Sequence, residues 1–259
     1  MKKVCIFLFS GTGMTEYVVD KIKSEFERQQ VYIDVLYIES VQIQDVLFTQ
    51  YDSIGIAYPV HSFNAPEIVM KFARRLPRLT YMDTFIISTA GGNSSLNYSS
   101  SDLLIKTIEK KGFSVFYDKQ FIMPSNFIVK DNDAIVREKI DKVNIETPKA
   151  VYEIINRVSH RMQSKFIVKI IALLGRAEWY GVKCFKFFYT NANCCHCGIC
   201  VKKCPSQNIT MRENYVIFKR KCGLCMRCLY LCPEQSIKIR RLFKFIGFET
   251  WYEIDIVRR

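Results

Sequence analysis

The second part of this chain is poor in acid. Residues 161–259 hold 6 Asp/Glu against 19 Lys/Arg, whereas residues 1–160 hold 19 of each, so the formal charge of +13 resides in the second part. Such an excess would suit a nucleic-acid binder, but the basic residues are scattered and no nucleic-acid-binding motif is present. No run reaches the ~18 uncharged apolar residues of a membrane span. Met1-Lys2-Lys3 before Val4 to Phe9 has the outline of a secretory leader. Six apolar residues are too few for one, and Ser10-Gly11-Thr12-Gly13 follows at once. The expected location is the cytoplasm. There thiols stay reduced, and 11 cysteines in 259 residues are too sparse for a disulfide framework.

Eight of those cysteines stand in two copies of one spacing. Cys194, Cys197, Cys200 and Cys204-Pro205 form one C-x2-C-x2-C-x3-C-P run, and Cys222, Cys225, Cys228 and Cys232-Pro233 form the other, 28 positions on. At the same offset Gln207 and Ile209 fall on Gln235 and Ile237, which marks an internal duplication. A cubane [4Fe-4S] cluster needs four thiolates. The short spacings wrap three of them in one loop, and the fourth cysteine reaches the other cluster. The expected sets are therefore Cys194, Cys197, Cys200 and Cys232 for one cluster and Cys222, Cys225, Cys228 and Cys204 for its twin. A structural zinc site is complete with four ligands and calls for neither the third cysteine nor the proline. Cys195 is off register by one and, with Cys5 and Cys184, is read as a small apolar residue or free thiol.

Residues 1–160 alternate short β-branched runs with helical stretches. The runs are Val4 to Phe9, Val31 to Ile38, Ser53 to Tyr58, Phe85 to Thr89 and Ser114 to Ile122. This predicts an α/β domain, a five-stranded parallel sheet with helices on both faces. Ligands of such sheets bind at the carboxyl ends of the strands. After the first strand comes Ser10-Gly11-Thr12-Gly13-Met14-Thr15, where hydroxyls alternate with glycines before a helix expected over Glu16 to Arg28. That is a phosphate nest. It contains no lysine and matches neither G-x-x-x-x-G-K nor G-x-G-x-x-G, which disfavours a nucleotide triphosphatase and a nicotinamide dinucleotide. A cation-free nest of hydroxyls suits the phosphate monoester of FMN. Tyr58-Pro59-Val60-His61-Ser62-Phe63-Asn64 after strand three and Thr89-Ala90-Gly91-Gly92-Asn93 after strand four offer places for the isoalloxazine ring. Tyr58, Phe63, Tyr98 and His61 are the candidates to stack on it.

The cysteine-rich segment, roughly residues 188–240, resembles the bacterial two-cluster ferredoxins. That likeness implies a small α+β unit of two hairpins and two short helices, for which Asn208 to Met211, Val216 to Phe218 and Ser236 to Ile239 can supply strands. Ser10 to Thr15 matches the [ST]-x-T-G-x-T phosphate fingerprint of flavodoxins at every position, and residues 1–160 resemble that family. By this likeness Ser10 to Thr15 hold the phosphate, while Pro59 to Asn64 and Thr89 to Asn93 flank the ring. The whole chain is similar to the flavodoxin-ferredoxin fusion family of anaerobic microbes, the EFR-type ferredoxins. The expected domains are 1–160, a connecting segment 161–187, the two-cluster unit 188–240 and a tail 241–259.

The resemblance implies an oxidoreductase that passes electrons between two [4Fe-4S] clusters and FMN, with no catalytic acid or base. A pure carrier or docking module and a redox or oxygen sensor are the other readings. The basic residues Lys165, Lys169, Lys202, Lys203, Arg220 and Lys221 would attract an acidic low-potential partner such as a ferredoxin or flavodoxin, or a redox enzyme. Within Ser164 to Tyr189, read as a helix, Lys165, Lys169, Arg176 and Lys183 share a stripe, with Ile167, Ile170, Ile171, Leu174, Phe185 and Phe188 in the apolar remainder. Such a helix could lie on an anionic membrane. Packing within the protein is the preferred expectation, with Gly175 and Gly181 weakening the helix and the aromatic tail folding back upon it.

Overall fold

The computed structural model describes residues 2–92, 95–125, 131–164, 166–183 and 188–239, excepting the side chains of 176–183. Five parallel strands, β1 (Lys3–Leu8), β2 (Tyr32–Tyr37), β3 (Ser53–Pro59), β4 (Met82–Ala90) and β5 (Phe113–Ile122), lie in the order β2-β1-β3-β4-β5. This is the flavodoxin-like doubly wound sheet. β1, β3 and β4 are almost wholly buried, as near-continuous apolar runs must be when helices cover both faces. On one face α1 (Met14–Arg28) and α4 (Asp133–Ile155) bury Val18, Ile22 and Phe26 with Val143, Val151 and Ile154. On the other, α2 (Glu67–Arg75) and α3 (Asp102–Glu109) bury Val69, Phe72, Leu104 and Ile108. Cys5 is packed in this core, as expected of a small apolar residue.

After α4 the chain returns to the edge of the sheet. The His160 carbonyl accepts from the Asp118 N–H at 2.7 Å, and the His160 N–H donates to Phe116 O at 3.0 Å. The chain then enters α5 (Phe166–Lys183), anchored near its start by the Ser164 hydroxyl on Asp102 Oδ2 at 2.9 Å. The glycines do not interrupt α5. Gly175 eases the crossing of the helix over the loop after β3, because a Cβ there would sit 3.1 Å from the Ser62 carbonyl oxygen, closer than most such contacts. The Asn64 side chain donates to Ala172 O at 2.8 Å at the same crossing. Val168 and Ala172 are buried on this inner side, while Phe166, Ile167, Leu173 and Leu174 are exposed on the outer one. Lys165, Cys184, Phe185 and the tail 241–259 lie outside the described residues, as do the side chains of Arg176 and Lys183. Among the described residues, no helix is long and apolar enough to cross a membrane.

The cysteine-rich part is small. β6 (Phe188–Thr190) pairs antiparallel with β9 (Ile237–Ile239), and β7 (Ile209–Arg212) pairs with β8 (Tyr215–Phe218). Two single-turn helices, α6 (Ile199–Lys202) and α7 (Arg227–Tyr230), lie 28 residues apart. Phe188 does not extend α5 but heads β6, where it buries against Phe218. The duplication is written into the backbone, since positive φ recurs at His196 and Leu224, at Gly198 and Met226, and at Gln207 and Gln235.

The α5 crossing yields a test. Gly175→Val should push the helix off the Ser62 carbonyl and cost about 1–3 kcal/mol, the usual scale of overpacking. A thermal melt would register it as a lower Tm, and an unchanged Tm would mean that α5 does not pack on this loop.

Candidate functional site

β1 delivers buried Phe9 and Ser10 to the edge of the sheet, and the chain turns through Gly11, Thr12 and Gly13 into α1. Gly13 caps the helix at φ 95°, a left-handed conformation that glycine adopts without steric cost. Ser10 Oγ accepts from the Gly13 N–H at 3.1 Å and from the Glu16 N–H at 3.4 Å, so two backbone donors converge on one oxygen. The Thr15 and Thr89 hydroxyls bond to each other at 2.8 Å, tying the loop to the end of β4. Converging N–H groups at the positive end of a 15-residue helix are the chemistry of an anion nest.

An inner cavity of about 140 Å³ opens beside this loop. Its walls are Ser10, Gly11, Thr12, Met14 and Thr15, then Pro59 to Ser62, Thr89 to Gly91 and Met123 to Ser125, and finally Leu224, Cys225 and Met226. Four β-strand ends thus meet one cysteine loop. Tyr58 does not reach the cavity; it is fully buried in the sheet core. Phe63 and Asn64 turn beneath α5 instead, and Gly92 lies outside the lining. Asn93 lies outside the described residues. Tyr98, on a short turn before α3, is also absent from the walls, which hold no Phe, Tyr or Trp among the described residues. The flat surfaces offered to a planar ligand are Val60, His61, Leu224 and Met226. At 140 Å³ the cavity is tighter than the ~300 Å³ of the smaller ligand pockets, so a ring entering it must widen it. The signal for the cysteine-loop wall was absent from the local sequence, because contact between segments more than 200 residues apart has no local pattern.

The cysteines gather in two neighbourhoods. The thiol of Cys200 is pushed up to about 11, first by burial and then by the negative charges of Cys194, Cys197 and Cys232. Cys228 is raised well above its ordinary range by burial, then by the charges of Cys225, Cys222 and Cys204, with a smaller contribution from Cys200. Mutual repulsion disfavours thiolates unless a cation neutralises them, so this donor set fits iron, which deprotonates its thiols outright. Backbone donors already point at the sulfurs in duplicate: Asn208 N–H to Cys204 Sγ and Ser236 N–H to Cys232 Sγ, both at 3.3 Å. No group of three or more His, Cys, Asp or Glu suited to a single metal ion occurs among the described residues. Cys195 is exposed.

The two parts of the chain touch tightly. A Cβ on Gly11 would run into the Cys225 carbonyl, so only glycine permits this approach. Arg227 bonds Glu39 Oε1 at 2.6 Å and Ser10 O at 2.5 Å, and its guanidinium lies 5.7 Å from the centre of the Phe9 ring. Beside this contact runs a wider cleft of about 1000 Å³, with Glu16, Tyr37 and Glu39 on one side and Lys202, Lys203 and Arg227 on the other.

No family model and no curated protein matches the chain. Solved structures that resemble it include a flavodoxin from the domain Archaea (14% identity over 59% of this chain and 99% of that one, TM-score 0.37). Oxidised flavodoxin 1 from Bacillus cereus has 20% identity over 57% and 98%, at a TM-score of 0.37. An FMN-dependent NADH-azoreductase from Bacillus anthracis, in complex with FMN, has 12% identity over 62% and 100%, at 0.43. The fold assignment rests on the strand order.

Two buried titratable groups flank the site with opposite sign. Burial lowers His61 to about 4 and raises Asp118, which accepts the Ser101 hydroxyl at 2.5 Å, to about 7. The Asp118 contribution to stability therefore declines as pH rises from about 4 to about 7, because the native state holds the proton more tightly. The His61 contribution is lost as pH falls from about 6.5 to about 4. The slopes oppose each other over about pH 4 to 6.5, each at most ~1.4 kcal/mol per unit. Relative to the parent, Asp118→Asn should make stability rise more steeply with pH in that window, and His61→Gln should make it fall. Urea unfolding across the window decides the matter; curves parallel to the parent would show that neither group titrates as buried.

Proposed function

We propose that the chain is an electron-transfer oxidoreductase that binds FMN and two [4Fe-4S] clusters and links a low-potential donor to a flavin-linked acceptor. One observation carries this reading: the Leu224-Cys225-Met226 loop forms a wall of the cavity whose other walls are the phosphate nest and the strand-end loops. FMN exchanges one or two electrons and a cluster exchanges one, so their union in one chain joins one-electron to two-electron traffic.

In this reading Ser10 to Thr15 receive the phosphate through backbone N–H groups and hydroxyls. Pro59 to Ser62 and Thr89 to Gly91 border the ring, with Val60 and His61 facing Leu224 and Met226. Electron transfer between these groups needs no general acid or base. Cys204, Cys222, Cys225 and Cys228 ligate the cluster nearer the flavin, and Cys194, Cys197, Cys200 and Cys232 ligate the farther one. Cys197 is exposed, so the first cysteine loop is the face that meets an external partner. The exposed Lys202, Lys203, Arg220 and Lys221 favour an acidic partner, a ferredoxin, a flavodoxin or a redox enzyme.

Protein purified without oxygen should carry about eight irons and one FMN per chain. Zinc, or four irons or fewer after reconstitution, would defeat the two-cluster reading. Thr12→Glu with Thr15→Glu should abolish FMN retention while iron stays, because negative charge would stand against the phosphate. Stopped-flow with a low-potential donor then separates oxidoreductase from carrier. Flavin bleaching should follow at a rate independent of protein concentration and insensitive to salt, while the preceding encounter weakens as salt rises. Bleaching that scales with protein concentration, or that survives Cys225→Ala unchanged, would favour the carrier.

A further inference from the structure

The two cysteine loops share one backbone but not one set of side chains. Their ligands coincide at an offset of 28, as do the positive φ values. Between the ligands, however, the first copy has His196, Gly198 and Ile199 where the second has Leu224, Met226 and Arg227. These three residues are ones by which the second loop meets the flavodoxin-like part. Leu224 and Met226 wall the cavity, and Arg227 reaches the phosphate loop. Met226 adopts φ 60° where the first copy uses glycine at φ 72°. A non-glycine residue in that region is disfavoured, so the methionine is retained against backbone preference, and its side chain is buried.

We propose that Arg227 is a positioning residue that clamps the second cysteine loop shut over the flavin cavity and holds a positive charge beside the cluster ligands. Its planar fork spans two acceptors that one ammonium could not satisfy with the same geometry, the Glu39 carboxylate at 2.6 Å and the Ser10 carbonyl at 2.5 Å. Arg227 and Glu39 are each only 16% exposed, so the pair is shielded from solvent screening. The second oxygen of Glu39 is buried without a hydrogen-bond partner, which leaves Arg227 as the group that compensates this carboxylate. At its other end the Arg227 backbone N–H bonds the Cys225 sulfur. One residue thus joins a cluster ligand to the first residue of the phosphate loop. Because Leu224, Cys225 and Met226 form one wall of the cavity, movement of this loop widens the way out for FMN. Removal of the clamp should therefore act on flavin release rather than on iron retention.

The ligand's identity rests on the reading above, whereas the clamp itself does not. In the loaded protein, Arg227→Gln should release FMN at least about tenfold faster, the equivalent of one charge-assisted hydrogen bond, with iron content unchanged. Arg227→Lys should fall between the two, and Glu39→Gln should weaken the clamp less because its amide oxygen still accepts. Loss of the charge should also lower the midpoint potential of one cluster and leave the other in place, a signature that packing alone would not produce. Unchanged release with full iron overturns the clamp, as does release that rises only in proportion to iron lost. If the parent protein binds no flavin, the FMN reading fails, and the clamp is judged by hydrogen exchange at the Gly11 to Gly13 amides. Exchange about tenfold faster in Arg227→Gln supports it, and equal exchange overturns it.

Discussion

The close approach of Gly11 to the Cys225 carbonyl is the contact on which the rest of the arrangement depends. It requires a residue without a side chain on the loop after β1, and a cysteine loop whose backbone can lie flat against it. A β-carbon at position 11 would separate the nest from the cysteines and open the cavity between them. Around this point the structure assembles complementary partners. Arg227 spans from one loop to the other, Leu224 and Met226 close the cavity, and Thr15 ties the nest to β4 through Thr89.

The small module shows what the duplication conserves and what it releases. Both copies need left-handed backbone at matching positions to wrap three cysteines in one loop, and both aim backbone N–H groups at their sulfurs. With six buried apolar residues at its centre, this module has little core of its own. On the two-cluster reading, ligation of metal supplies its stability. Outside the ligand set the copies are free to diverge, and the second has exchanged a glycine for Met226 at a conformational cost. A surface loop would gain nothing from such an exchange; a cavity wall gains an apolar face.

Helix α5 solves a different problem, that of joining two modules whose functional loops must meet. It leaves the edge of the sheet beside His160, crosses the Ser62 to Asn64 turn on Gly175 and leads towards β6. The same turn that borders the cavity through His61 and Ser62 is thereby held from behind by Asn64 on the Ala172 carbonyl. The outer face of α5 keeps Phe166, Leu173 and Leu174 in solvent contact.

Much of this was legible in the sequence because it follows from local rules. Continuous apolar runs with helical spacers announce a buried parallel sheet, alternating hydroxyls and glycines after a strand announce an anion nest, and a repeated cysteine spacing announces two thiolate sets. Tyr58, Phe63 and Asn64 were read as one ring-flanking loop because adjacency in sequence suggests a shared surface. Tertiary structure separated them, turning Tyr58 into the sheet core and Phe63 and Asn64 under α5. Likewise the strand period could place the loops at the carboxyl edge of the sheet, but not name the wall opposite them. That wall comes from residues 224 to 226, more than 200 positions from the nest, and only the tertiary structure shows that these residues, rather than their counterparts in the first cysteine loop, are turned inward. Sequence determines what each segment can bind; the contact between Gly11, Arg227 and Cys225 decides what each segment faces.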